Sequence, residues 1–257
     1  MPFARRTIKE MEKVDARGLE HRFEERLRSG PSSLGATEVL DRVLEAAGDV
    51  RNLRTLDVGC GTGDLCRRLT DRGASVVGVD VCSNLLARAR VAAPGASLLQ
   101  ADALELPFGS RQFDLATSVL VFHYLEEPQL GLREIGRTLR PGARLVVCDR
   151  VCSSDPVLQA AQIGVERLRN PLIHRILPSE ELEECLRKTG FEVVRQVEFR
   201  RSEPLEFWLA GTDVPRAREV REEVGRLRGR DLGGLRVAPG DRIELRMALV
   251  ESRFAGF

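Results

Sequence analysis

Residues 54–63 read Arg54-Thr55-Leu56-Asp57-Val58-Gly59-Cys60-Gly61-Thr62-Gly63, an apolar run that passes directly into three alternating glycines. Leu53, Leu56 and Val58 predict a buried strand. The glycines can take positive φ and let the backbone press against a ligand with no Cβ in the way. Asp64 to Leu69 continues as a helix, whose first free N–H groups point toward the same space. The pattern is that of a nucleotide-type cofactor site. A dinucleotide fingerprint needs its third glycine at position 64, where this chain has Asp64, and an acid at a helix mouth is a poor host for pyrophosphate. There is no G-x-x-x-x-G-K-[ST] run, and the loop has no Lys, which counts against an NTPase.

Two further apolar runs end in acids. Ser75-Val76-Val77-Gly78-Val79-Asp80 places Asp80 about twenty residues past the glycine turn, the offset at which a strand-end acid can hold both ribose hydroxyls. Ser97-Leu98-Leu99-Gln100-Ala101-Asp102-Ala103 repeats the pattern. Phe113 to Val119 reads as a fourth strand, Leu139-Arg140-Pro141-Gly142 as a turn, and Ala143 to Asp149 as a fifth strand. Strands and helices alternate throughout, which implies parallel crossover units, with the ligand at the carboxyl ends of the strands near the switch point beside the first.

This ordered set, with Asp57 before the glycine loop, resembles the class I S-adenosylmethionine-dependent methyltransferases over about residues 36–200. The resemblance implies an α/β fold with a doubly wound seven-stranded sheet in the order 3-2-1-4-5-7-6, the last strand antiparallel. It also implies S-adenosyl-L-methionine as cofactor, with S-adenosyl-L-homocysteine as product. The implied cofactor contacts are Asp57, the loop Gly59, Cys60, Gly61, Thr62 and Gly63, then Asp80 with Val81, Asp102 with Ala103, and Val119. Asp102 takes the adenine amino group by that resemblance; its local alternative is a turn-forming Asp. For Asp80 the alternative is an exposed acid after a strand. Asp57 is also expected to organise the loop by accepting its N–H groups. The stretch Leu168 to His174, followed by a helix and Thr189-Gly190-Phe191, resembles ubiquinone- and menaquinone-biosynthesis enzymes that carry Asp-Pro-x-His. Here Asn170 replaces that Asp, and one extra residue precedes His174.

With 257 residues the chain can bury a full core, and its formal charge of +1 gives no global field for nucleic acid or an anionic membrane. No stretch approaches a membrane span and no leader precedes the first helix, so a soluble cytoplasmic protein is expected. The cysteines at 60, 66, 82, 148, 152 and 185 include no C-x-x-C pair; buried reduced thiols are expected rather than a metal site.

The expected organisation is an N-terminal helical extension at 1–35, then a methyltransferase domain at 36–257 with insertions at about 152–178 and 203–238. Residues 8–28 carry a sparse apolar stripe of Met11, Val14, Leu19, Phe23 and Leu27, compatible with packing on the domain or with a lid. Ala36 to Ala47 reads as a helix, as does roughly Pro156 to Leu168. Ser179 to Lys188 reads as another, with Ser179 as its N-cap. Phe191 to Phe199 and Arg242 to Phe254 alternate as a closing antiparallel pair, and the second insertion reads as mostly helical.

Methyl transfer is an in-line displacement, so positioning and water exclusion carry it; a base is needed only when the acceptor must lose a proton. His123, just past strand four, is the candidate base, with a loop or capping role as its alternative. His174 is a candidate for positioning and Tyr124 for acceptor binding, while Trp208 reads equally as acceptor-pocket wall or as core. The expected acceptor is a small organic molecule methylated at O, N or C. The rival, an RNA or protein methyltransferase, draws on the Arg-rich segment 215–230, which Glu219, Glu222 and Glu223 interrupt. A third reading is a cofactor-binding module without turnover.

Overall fold

The computed structural model describes residues 36–256 together with Gly18 and His21. The remainder of the expected extension at 1–35, and with it the lid reading, lies outside the described residues. Helix α1 (Ala36–Ala47) leads into β1 (Arg54–Val58), α2 (Asp64–Asp71), β2 (Ser75–Asp80), α3 (Ser83–Ala92) and β3 (Ser97–Gln100). Then come β4 (Phe113–Val119), a 3-10 turn at Phe122–Tyr124, α4 (Pro128–Thr138) and β5 (Leu139–Arg150). The rest is α5 (Pro156–Arg169), α6 (Ser179–Lys188), β6 (Phe191–Pro204), α7 (Leu205–Leu209), α8 (Val214–Arg226), β7 (Leu235–Ala238) and β8 (Arg242–Phe254).

The sheet runs β3-β2-β1-β4-β5-β8-β6, with β1 to β5 parallel and β8 antiparallel to both β5 and β6. This is the expected order with one strand added: the second insertion, expected as mostly helical, also contains β7, so the closing strand becomes the eighth. The turn signal at Pro141-Gly142 is absorbed into β5 as a wide bulge, since Leu139 pairs Phe113 and Arg144 pairs Leu115. Gly142 takes φ +79 at its tip.

Alternation along the strands divides the apolar residues between two cores, one on each face. Leu56, Val58, Leu145 and Val147 join Leu132 and Ile135 of α4 and Leu182 and Leu186 of α6. Val146, Cys148, Met247 and Leu249 join Val39 and Val43 of α1 and Leu65 and Leu69 of α2. Each fully buried aliphatic side chain contributes about 1.5–3 kcal/mol, so this two-sided packing holds the parallel strands and presents their carboxyl ends.

Strand β8 is longer than the core needs. Its Met247–Arg253 segment pairs β5, while Arg242–Leu245 pairs β7, and β6 follows it along both parts. The β6–β8–β7 ribbon therefore continues past Arg150, beyond the carboxyl end of β5. Helix α6 has Pro178 at its N-cap position, not Ser179. The Ser179 hydroxyl is instead given to Glu198 of β6, so a cross-element bond replaces the expected cap. Among the described residues no helix is long and apolar enough to cross a membrane.

Candidate functional site

The turn after β1 has three left-handed glycines, Gly59 (φ +74), Gly61 (φ +55) and Gly63 (φ +83). Two of them are required by packing. A Cβ at Gly59 would fall 2.2 Å from Val121 Cγ2, and one at Gly63 would fall 2.9 Å from Ala89 Cβ. Gly61 differs, since nothing lies within 4 Å of where its Cβ would be. That glycine is where a ligand can approach the backbone.

The loop is held by its own N–H groups. Gly59 and Cys60 donate to the Val79 carbonyl at 2.8 and 2.9 Å. Gly61 donates to Asp80 Oδ2 at 2.8 Å, and Cys82 N–H to Asp80 Oδ1 at 2.9 Å. Loop organisation therefore belongs to Asp80, not to Asp57 as expected. Asp57 points to the other side of β1, where its carboxylate accepts from Thr117 Oγ1 at 2.8 Å and Cys66 Sγ at 3.3 Å. Burial pushes the Asp57 carboxyl up to about 6, with Asp80 adding repulsion and the two donors opposing. Burial likewise raises Asp80 above the ordinary carboxylate value, against the Cys82, Gly61 and Val81 backbone donors and the Cys82 side chain.

Ala101 N–H bonds the Asp80 carbonyl, which sets Asp102 beside the tip of β2. Asp102 is half-buried and forms a turn, with Oδ1 accepting Leu104 N–H at 2.8 Å. Val81 and Ala103 are half-buried next to these acids, and Val119 is half-buried at the end of β4. Cys60 is buried, and the Thr62 hydroxyl turns to Asp64 Oδ2 at 2.9 Å. The structure thus gathers the expected cofactor residues at the carboxyl ends of β1 to β4.

This arrangement fits adenosylmethionine on two counts. The open face at Gly61 lies beside the Asp80 carboxylate, an acceptor of the kind that ribose hydroxyls require. Asp57 and Asp80 also lie close enough to repel one another, which favours a ligand carrying positive charge over pyrophosphate.

Past β4 the chain enters a second cluster. Leu120 takes φ +59, unusual for a side chain of its size, and its N–H bonds the Cys148 carbonyl at 2.8 Å. His123 follows, 2% exposed, with Nδ1 at 2.7 Å from Asp149 Oδ1. Its Nε2 has no hydrogen-bond partner among the described residues. Burial pulls the imidazole below its ordinary pKa, and Asp149 opposes that shift. Tyr124 stacks on His123 with ring centroids 4.1 Å apart, and its hydroxyl accepts from Asn170 Nδ2 at 3.2 Å. His174 comes to the same place through its backbone, donating its N–H to the His123 carbonyl at 3.0 Å.

Behind them lies a buried ionic chain. Glu166 Oε2 takes Arg150 at 2.9 Å and Arg169 at 3.0 Å, all three nearly inaccessible. Arg169 in turn lies 4.6 Å over the ring of Trp208. Trp208 is 1% exposed in the core, so its observed place is packing under Arg169, not an acceptor-pocket wall. Asp149, Arg150, Glu166 and Arg169 were not singled out from sequence. Asp149 carried one usable signal, an acid ending a buried strand like Asp57 and Asp80; the others carried none.

Comparison with known proteins finds relatives for this chain. The family described as "Methyltransferase domain" matches residues 56–147. O-methyltransferase rstn1 of Aspergillus nomiae is 31% identical over 178 residues, covering 64% of this chain and 76% of the relative. Demethylmenaquinone methyltransferase of Thermus thermophilus is 40% identical over 114 residues, 42% of this chain and 52% of the relative. An S-adenosylmethionine-dependent methyltransferase structure from Mesorhizobium loti aligns with TM-score 0.59 at 25% identity, covering 87% of this chain and 100% of that one. The chain spans about half to two thirds of the length of most curated relatives it matches. With the glycine loop, its ordered strand-end acids and these likenesses together, the chain belongs to the class I S-adenosylmethionine-dependent methyltransferases.

Proposed function

We propose that this protein transfers a methyl group from S-adenosyl-L-methionine to an O, N or C atom of a small organic acceptor. The observation that carries the reading is the Asp80 carboxylate fastened to Gly61 N–H beside the one loop glycine that faces open space. In this reading Asp80 receives the ribose hydroxyls, Asp102 uses its second carboxylate oxygen for the adenine amino group, and Val81, Ala103 and Val119 line the adenosyl portion. Gly59 to Gly63 supply the backbone surface for the methionyl end, and the Asp57 carboxylate contributes charge from beneath it. Bound there, adenosylmethionine supplies an electrophilic methyl group. The chain's own work is to orient the acceptor and exclude water, an effect worth several kcal/mol.

His123 is the base for an acceptor that must lose a proton, Tyr124 stacks beside it, and His174 holds the turn through its backbone. The relatives named as O-methyltransferases and a demethylmenaquinone methyltransferase support small acceptors. A nucleic-acid acceptor finds less support, because Arg216, Arg218, Arg221 and Arg226 on and around α8 are each paired with an acid. The six free, buried cysteines fit a reducing, cytoplasmic setting. Calorimetry with adenosylhomocysteine and a labelled-methyl assay against hydroxylated aromatics, quinols and total RNA test the proposal. Saturable binding with label entering small acceptors is expected; no saturable binding overturns it.

A further inference from the structure

We propose that Asp149 is a positioning residue that fixes His123 in the tautomer with Nδ1 protonated, leaving the Nε2 lone pair for the acceptor's proton. The inference rests on the reading of His123 as the base.

The Asp149 carboxylate is 3% exposed and receives donors on both oxygens. Oδ1 takes His123 Nδ1 and Arg150 N–H, each at 2.7 Å. Oδ2 takes Phe122 N–H at 2.7 Å and His123 N–H at 3.3 Å. An ionised carboxylate only accepts, so the ring nitrogen facing it must carry the hydrogen, and a neutral ring then presents a lone pair at Nε2. Burial opposes ionisation of Asp149, yet His123 and Arg150 hold its carboxyl below the ordinary value. The second observation is the Nε2 atom itself, buried without a partner. With Nδ1 facing the carboxylate, that atom is the ring's acceptor and is available to a bound group that brings a donor.

Burial is the main reason the ring waits neutral, against the carboxylates that face it. Asp149 and Arg150 face it from β5, Glu166 from α5, and Tyr124 from its own turn. On the remaining side the His174 and Arg175 backbone N–H groups bond the His123 carbonyl, and the Arg175 guanidinium pairs Glu181 of α6. The step assigned is a proton transfer. The acceptor's O–H bond breaks, an N–H bond forms at Nε2, and the positive charge left on the ring lies beside the Asp149 carboxylate. Asp149 touches neither acceptor nor cofactor and acts through His123.

The chain has only three histidines, so ring 15N spectra of the whole, His-labelled protein are assignable with His21→Gln and His174→Gln. At pH 7 the His123 ring should show Nδ1 protonated and Nε2 unprotonated. Asp149→Asn keeps one oxygen for the Phe122 N–H but turns an NH2 toward the ring, so the proton should move to Nε2. Adenosylhomocysteine affinity should stay within about threefold, and methyl transfer to whichever acceptor wild type accepts should fall about 100-fold or more. A purely structural Asp149 would lower thermal stability without moving the tautomer. Wild type protonated at Nε2, or an Asn variant keeping the wild-type tautomer, overturns the inference. If Asp149→Asn fails to fold, the wild-type spectrum decides alone. Absence of adenosylhomocysteine binding counts against the methyl-transfer reading instead, and the tautomer in that protein still decides this one.

Discussion

Around Gly61 the structure is held by backbone N–H groups, two given to the Val79 carbonyl and one to the Asp80 carboxylate. Around His123 it is held by buried side-chain charges, Asp149 and Arg150 from β5, Glu166 and Arg169 from α5. The two regions lie at the same ends of the same sheet, yet their tolerances differ. Backbone bonds depend on φ and on the absence of Cβ atoms, so the first region is sensitive to glycine substitution. A buried ion chain depends on every partner being present, because removing one leaves a charge without compensation in a medium of low polarity.

Three measurements sharpen that contrast. The largest effect is expected from Glu166→Ala, which strands two buried guanidinium groups. Urea denaturation should show a loss of about 3–5 kcal/mol, while calorimetric affinity for adenosylhomocysteine stays within about threefold. Equal losses of affinity and stability would erase the distinction between the regions. Asp80→Ala should act in the opposite sense, weakening adenosylhomocysteine binding by about 100-fold, or about 2.7 kcal/mol, with a smaller shift in the urea midpoint.

The smallest effect tests Asp57, which lies between the regions. Burial first, and Asp80 second, raise its pKa from 3.8 to about 6, so the folded protein keeps a proton that the unfolded chain releases between those values. Stability from this group is therefore greatest on the acid side and declines as pH rises through the window, levelling above about pH 6. Asp149 and Glu166, held below their ordinary values, have the opposite sign and lose their contribution toward lower pH. Comparing wild type with Asp57→Asn cancels those groups. Wild type should gain about 1 kcal/mol on the variant between pH 7 and pH 5, and a flat difference would show that Asp57 is not perturbed.

The same contrast explains what could be read before the structure. The cofactor region is local in sequence: each strand ends in its acid and the glycines sit together, so period and spacing place Asp57, Asp80 and Asp102 at strand tips. What spacing could not show is which acid faces the loop, because that depends on the pleat; Asp57 and Asp80 turn to different partners. The second region joins residues 123, 149, 166 and 208, whose neighbours in sequence give no sign that they meet. Glu166 reads as one more polar position on a charged helix, and only the packing of α5 against α8, with Arg150 of β5 brought to it, makes it fully buried. Trp208 read equally well as wall or core for the same reason. Strand β7 escaped notice because its four residues, Leu235–Ala238, pair with the extension of β8 and carry almost no periodic signal.

That extension has a mechanical consequence. One unbroken strand, Arg242–Phe254, closes the main sheet at one end and supports the ribbon at the other. The overhang and the sheet share a single spine, so neither can slide, hinge or slip register without carrying its counterpart along. The backbone of the overhang is thereby kept in step with the tips of β1 to β5.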